Sequence, residues 1–216
     1  METKFRYAVF DLDGTLLNTI DDLAAAGNFT LREMGFPEHD TDAYKIFVGN
    51  GIPKLVERML PDSDKPPVNE ALRIFSEYYG THSMDMTRPY DGITDLLAEL
   101  SRRGIPFGIV SNKQHEYSVA LCRNFFGDLP KSVIGTGEFP PKPDPAAVFR
   151  TLELIGGEAA KTLYIGDTGT DMVTAANAGL LSCGVLWGFR TETELRENGA
   201  AFIVRDTAEL LALFDD

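Results

Sequence analysis

One stretch of the sequence constrains the fold and the chemistry most strongly: Tyr7-Ala8-Val9-Phe10-Asp11-Leu12-Asp13-Gly14-Thr15-Leu16. Its apolar first half predicts a short buried strand, and two carboxylates spaced i, i+2 follow directly, with Gly14 placed for a sharp turn. Two neighbouring buried carboxylates are costly unless a cation or hydrogen bonds compensate them. The pattern therefore indicates a site for a metal ion, a phosphate or both. The alternative is a surface turn, since Asp and Gly are common turn residues.

Length and composition are those of a globular protein with a sizeable core. The chain has 216 residues, of which 44% are hydrophobic, and a formal net charge of −13. Such an acidic chain without a basic cluster is repelled by nucleic acid and by anionic membranes, so we expect neither as a partner. The charged N-terminus does not resemble a signal peptide. Cys122 and Cys183 lack metal-type spacing, which predicts free thiols in a cytoplasmic protein.

Apolar strand patterns alternate with amphipathic helical patterns over most of the chain. This alternation predicts an α/β fold, with a parallel sheet covered by helices on both faces. After the first strand, strands are predicted at residues 107–110, 132–134, 162–165, 183–187 and 201–204. Helices are predicted at residues 93–103, 115–126, 145–155, 171–178 and 207–214.

One segment breaks the alternation, because it contains helical patterns but no convincing strand. A helix opens at Asp21, and others are predicted at residues 42–48, 52–60 and 69–82, separated by Pro61, Pro66 and Pro67. We therefore predict two domains: an α/β core of residues 1–17 plus 87–216, and a helical insertion of residues 18–86. Ligands of open α/β sheets bind at the carboxyl ends of strands, so an insertion at this point is placed to cover the site.

Polar residues of suitable type follow three other predicted strands. They are Ser111 and Asn112, then Lys142 between prolines, then Asp167 and Asp171. Each alone has an ordinary explanation, as a helix N-cap or a solvated loop lysine. Together they place hydroxyl, ammonium and carboxylate groups at one edge of a parallel sheet. Carboxylates there can hold Mg²⁺, and Lys142 and Ser111 can bind an anion, a combination that indicates phosphoryl transfer.

The chain resembles the haloacid dehalogenase (HAD) superfamily in four ordered motifs. These are residues 11–16 (DLDGTL), Ser111-Asn112, Lys142 and residues 166–171 (GDTGTD). The resemblance covers essentially the whole chain and implies a Rossmann-like core with a type C1 helical cap. The segment from Val185 onward is similar to the phosphoglycolate phosphatase-like subgroup.

This resemblance implies a role for each motif residue. Asp11 is the nucleophile that forms an aspartyl-phosphate, and Asp13 is the general acid and base. Mg²⁺ is bound by the Asp11 carboxylate, the Asp13 carbonyl and Asp167, while Ser111, Asn112 and Lys142 bind the phosphoryl group. Gly14, Thr15 and Asp171 support the site.

We therefore expect a Mg²⁺-dependent phosphatase acting on a small phosphorylated metabolite, with 2-phosphoglycolate as the first candidate. Asn50 and Lys54, in a glycine-containing loop of the cap, are the candidates for contact with the leaving group. Alternatives are phosphoryl transfer of the β-phosphoglucomutase type, phosphonoacetaldehyde hydrolysis with a cap lysine, and a non-catalytic phosphate-binding module. The sequence carries no prediction of the oligomeric state.

Overall fold

A parallel six-stranded sheet with the strand order β5-β4-β1-β6-β7-β8 organises the larger unit of this computed structural model, which describes residues 5–62 and 67–215. Two features used in the sequence analysis lie outside the described residues. They are the first four residues of the charged N-terminus and Pro66, one of the prolines that separate the predicted helices. Two further strands, β2 and β3, form a separate two-stranded sheet. The strands are Tyr7–Phe10 (β1), Leu17–Asn18 (β2), Arg88–Pro89 (β3), Phe107–Gln114 (β4), Ser132–Thr136 (β5), Thr162–Gly166 (β6), Leu181–Val185 (β7) and Phe202–Val204 (β8).

The predicted α/β fold is confirmed, with helices between the strands of the sheet. The helices are Ile20–Glu33 (α1), Thr41–Phe47 (α2), Ile52–Met59 (α3), Val68–His82 (α4), Ile93–Arg102 (α5), His115–Phe126 (α6), Ala146–Ile155 (α7), Gly169–Asn177 (α8), Glu192–Glu197 (α9) and Thr207–Ala212 (α10), with a 3₁₀ turn at Ala159–Lys161. The short helix α9, capped by the Thr191 hydroxyl, was not predicted. Strand β7 lies at Leu181–Val185, two residues earlier than predicted, because residues 186 and 187 belong to the following turn.

The core of this unit lies on both faces of the sheet. Along β1, Ala8 and Phe10 join one apolar cluster, which includes residues of α5, α6 and α10, while Val9 joins another with residues of α7 and α8. Successive side chains of a strand point to opposite faces. The continuous apolar run of β1 therefore matches a parallel strand that is buried on both sides. Cys122 and Cys183 are buried free thiols, as predicted.

The chain separates into two compact units, residues 1–17 with 89–216 and residues 18–88. Helices α1–α4 lie in the second unit. Its interior contains Tyr44, whose hydroxyl donates to Oδ1 of Asn28 at 2.7 Å. The buried Asp22 carboxylate accepts the backbone N–H groups of Met86 and Thr87 and so fixes the returning chain. Within the described residues, no helix combines the length and apolarity needed to span a bilayer.

Candidate active site

Four neighbouring strands bring the predicted motif residues to one edge of the sheet. Asp11 follows β1, Ser111 lies on β4, and Asp167 follows β6, while Lys142 lies between β5 and α7. The strands are parallel and adjacent in the order β5-β4-β1-β6, so their carboxyl ends meet. Strand β4 is longer than predicted and includes residues 111–114, with a register shift against β5 between Val110 and Gln114.

Three buried carboxylates form the centre of the site. One carboxylate oxygen from each of Asp11, Asp167 and Asp171 lies within 4.8 Å of those of the other two. Asp11 is 6% exposed, and the other two are fully buried. Such an arrangement needs compensation by cations and hydrogen-bond donors.

Lys142 provides part of that compensation. Its Nζ lies 2.8 Å from Oδ1 of Asp11 and 2.7 Å from Oδ1 of Asp171. Burial alone would lower the pKa of the ammonium group, but the charges of Asp11 and Asp171 outweigh it and hold the pKa well above its usual value. Lys142 is therefore a fixed positive charge beside the predicted nucleophile.

Asn112 fixes the backbone of Lys142. The Asn112 Oδ1 accepts the Lys142 N–H at 2.7 Å, and Nδ2 donates to the Lys142 carbonyl at 3.2 Å. The Asn112 side chain therefore braces the loop that carries Lys142. Phosphate binding by Ser111, Asn112 and Lys142 stays a prediction. Ser111 is buried, and its Oγ accepts the N–H of Lys113 at 3.2 Å.

Asp171 acts both as a helix cap and as part of the charged cluster. Its Oδ2 accepts the backbone N–H of Thr168 at 3.0 Å and the Thr168 hydroxyl at 2.7 Å, completing a capping box at the start of α8. Its Oδ1 accepts Lys142. Helix capping was the alternative explanation for this residue, and both descriptions apply.

Asp167 is positioned by its contacts with two loops. Its Oδ1 accepts the Thr15 hydroxyl at 3.1 Å, and its Oδ2 accepts the N–H of Phe189 at 2.8 Å. A Cβ on Gly188 would lie 2.3 Å from Cβ of Asp167, so only glycine fits there. Trp187 packs against the core and donates its indole N–H to the Thr15 carbonyl at 2.9 Å, which links the two loops.

Asp13 forms an ion pair that sequence reasoning missed. Lys113 Nζ lies 2.8 Å from Asp13 Oδ1, with side-chain exposures of 2% for the lysine and 19% for the aspartate. Lys113 follows Ser111-Asn112 directly, and the one available signal was its position at a strand end that already carried candidate site residues.

The carboxylates fit a divalent metal ion. Burial, with repulsion from Asp171, raises the pKa of Asp11 well above its usual range despite the opposing charge of Lys142. Burial and the same neighbour raise the pKa of Asp167 to about 7, against the lowering effect of the Phe189 N–H and the Thr15 hydroxyl. The single positive charge of Lys142 thus does not neutralise all the negative charge of the buried carboxylates. Carboxylate oxygens are the ligands that hard divalent cations prefer.

The two predicted cap residues lie in the second unit and make contacts there. Asn50 Oδ1 accepts Nη2 of Arg58 at 2.8 Å, and Lys54 Nζ lies 2.5 Å from Oε2 of Glu57. Their predicted contact with the leaving group stays a prediction.

Comparison with known proteins identifies relatives over the whole chain. The family model for haloacid dehalogenase-like hydrolases matches residues 8–185. A phosphoglycolate phosphatase of Aquifex aeolicus is 32% identical over 98% of this chain and 97% of its own length. One from Pseudomonas fluorescens is 32% identical over 95% of this chain and 78% of its own length. A crystal structure described as a predicted phosphoglycolate phosphatase from Haemophilus somnus superimposes with a TM-score of 0.91, at 26% identity, over 100% of both chains.

Proposed function

The chain belongs to the haloacid dehalogenase-like hydrolase family, and we propose that it is a Mg²⁺-dependent phosphatase that hydrolyses a small phosphorylated metabolite through an aspartyl-phosphate on Asp11. The observation that carries the proposal is the contact between Asp11 and Lys142 beside the Asp11, Asp167 and Asp171 cluster. It provides a nucleophile, a fixed cation for the phosphoryl oxygens and an oxygen-rich metal site in one place. The cytoplasm is the proposed location.

In the first half-reaction, a carboxylate oxygen of Asp11 attacks phosphorus and forms the new P–O bond. The P–O bond to the leaving group breaks, and Asp13 gives its proton to the leaving oxygen. The ammonium of Lys142 and the Ser111 hydroxyl bind the phosphoryl oxygens during this transfer.

In the second half-reaction, Asp13 takes a proton from a water molecule, which attacks phosphorus. The bond to Asp11 breaks, and the carboxylate and inorganic phosphate are released. Asp11, Asp167 and the Asp13 carbonyl would hold Mg²⁺, which supplies charge neutralisation for the transferred phosphoryl group. The remaining roles belong to side chains of this chain, which position the reacting groups and stabilise the developing charge.

The proposed substrate is 2-phosphoglycolate. It is supported by the likeness to phosphatases of that name in Aquifex aeolicus and Pseudomonas fluorescens, which extends over nearly all of this chain. The acidic composition of the chain, with a formal charge of −13, fits a small metabolite better than a polyanionic partner.

A panel of phosphorylated metabolites tests the proposal, with release of inorganic phosphate as the measurement. We expect 2-phosphoglycolate to give the highest kcat/KM, EDTA to abolish phosphate release, and Mg²⁺ to restore it. Isomerisation of a sugar phosphate without net phosphate release would favour a mutase. Loss of activity after borohydride treatment with phosphonoacetaldehyde would favour a Schiff-base mechanism on a lysine.

A further inference from the structure

Asp13 carries out two proton transfers in the proposed mechanism, and each requires its carboxylate to lie within hydrogen-bond reach of the reacting oxygen. The residue lies in the turn after β1, where it bridges to Leu17, and its side chain is partly exposed. A partly exposed aspartate has several accessible rotamers unless a partner fixes one of them. The structure provides that partner on a neighbouring strand.

Lys113 lies on β4, which pairs with β1, the strand that precedes the turn containing Asp13. Its Nζ contacts Oδ1 of Asp13 at 2.8 Å, and its side chain is almost fully buried. A buried ammonium group is costly unless a carboxylate or a comparable acceptor compensates it. The two side chains therefore fix each other.

The backbone of Lys113 is itself held by its neighbours. Its N–H donates to the Ser111 Oγ, and its carbonyl accepts the Ser118 hydroxyl at 3.5 Å. A Cβ on Gly135 would lie 2.5 Å from that carbonyl oxygen, so β5 packs directly against it. The lysine thus extends from a rigid strand end toward Asp13.

We propose that Lys113 is a positioning residue, which holds Asp13 through Oδ1 so that Oδ2 exchanges the proton with the leaving oxygen and with the attacking water. This role rests on the proposed phosphatase function. It differs from the role of Lys142, whose Nζ contacts the nucleophile Asp11 rather than the acid.

Two phosphate esters with different leaving groups distinguish a positioning role of Lys113 from a purely structural one. An alkoxide such as glycolate needs a proton as it departs, whereas p-nitrophenolate leaves as a stable anion. Loss of general acid catalysis costs about 10²–10⁴-fold in rate. A variant that misplaces Asp13 should therefore lose kcat/KM, which reports formation of the aspartyl-phosphate, mainly with the alkyl phosphate. Loss of the general base in the second half-reaction affects both esters alike.

The test compares Lys113→Met with the wild type on 2-phosphoglycolate and on p-nitrophenyl phosphate. We expect kcat/KM to fall by about 10²-fold for the alkyl ester and by less than about 10-fold for the aryl ester. Lys161→Met, at an exposed lysine paired with Glu158, is the control and should leave both values unchanged. Lys113→Gln, which keeps a hydrogen-bond donor, replaces Lys113→Met if the latter does not fold.

A double-mutant cycle completes the test. In an Asp13→Asn background, Lys113→Met should add almost no further loss, because residues that act through one another are not additive. Equal losses on both esters, or additive losses in the cycle, would overturn the positioning role. So would failure of both Lys113 variants to fold. A wild-type protein inactive on every ester of the panel would overturn the proposed function instead.

Discussion

Gly14 lies directly against the carboxylate of Asp167: a Cβ at position 14 would be 2.3 Å from Oδ2. The residue also has a positive φ of 88°, a region that side chains disfavour. The turn after β1 and the carboxylate after β6 are therefore packed so closely that glycine is required between them.

Gly14→Ala should displace the Asp167 carboxylate and lower kcat by about 10²-fold, because a displacement of about 1 Å in an active site can cost that much. Gly104→Ala is the matched control, since Gly104 has a φ of +68° with nothing within 4 Å of the added Cβ. It should cost about 1 kcal/mol of stability from backbone strain alone and leave kcat unchanged. The measurements are kcat and denaturant unfolding. Equal kcat for the two variants would contradict the close packing.

The stability of the metal-free protein should depend on pH through Asp167. Burial raises its pKa to about 7, whereas in the unfolded chain it lies near its usual value of about 3.9. The folded state thus favours the protonated carboxyl, so the stabilisation is complete below the unfolded pKa and is lost as pH rises through about 7. In EDTA, the thermal unfolding midpoint of the wild type should decrease, relative to that of Asp167→Asn, as the pH rises from about 4 to about 7.

Mg²⁺ should restore the wild-type midpoint at neutral pH and leave that of Asp167→Asn nearly unchanged, since a ligand stabilises the state that binds it. Parallel pH profiles for the two metal-free proteins would show that Asp167 is not the group responsible.

Lys142→Met should destabilise the fold as well as abolish activity. Removing one partner from a buried ion pair costs about 3–5 kcal/mol, because the remaining charges are left uncompensated. Lys161→Met, which breaks an exposed pair with Glu158, should cost less than about 1 kcal/mol. Urea unfolding of both variants gives the comparison, and similar losses would indicate that Lys142 is not electrostatically coupled to Asp11 and Asp171.

Lys54→Met tests the cap prediction. If Lys54 binds an anionic leaving group, its loss should raise KM for 2-phosphoglycolate by roughly 2- to 5-fold, because an exposed charged contact contributes about 0.5–1 kcal/mol. KM for p-nitrophenyl phosphate should not change. Lys45→Met is the matched control. Lys45 lies in the same unit, residues 18–88, and likewise pairs with an acidic residue three positions away. Equal KM values for Lys54→Met, Lys45→Met and the wild type would remove Lys54 from substrate binding.

The sequence predicted most of the sheet because its strands are short apolar runs that end in polar residues. The run before Asp11 is an example, since burial on both faces leaves a signal that no exposed segment imitates. The six-residue helix α9 escaped prediction because only Leu195 is buried in it, which is too few apolar positions to reveal a period.

Contacts between distant residues explain what the sequence did not predict at the site. Lys113 and Asp13 are 100 residues apart, and a lysine beside a strand end resembles any solvated lysine until its partner is known. The brace between Asn112 and the Lys142 backbone is equally non-local, because it depends on the packing of two loops. The sequence predicted which residues converge at this edge of the sheet, but it did not predict which of their atoms contact one another.

Detection of phosphorylated Asp11 is the most direct test of the account. Wild-type protein mixed with 2-phosphoglycolate and Mg²⁺ is quenched in acid within one turnover, and its peptides are examined by mass spectrometry. We expect one phosphoryl group on the peptide that contains Asp11, and neither this adduct nor phosphate release in a folded Asp11→Asn variant. Phosphate release by Asp11→Asn at the wild-type rate, with no phosphorylated peptide in either protein, would contradict the covalent mechanism.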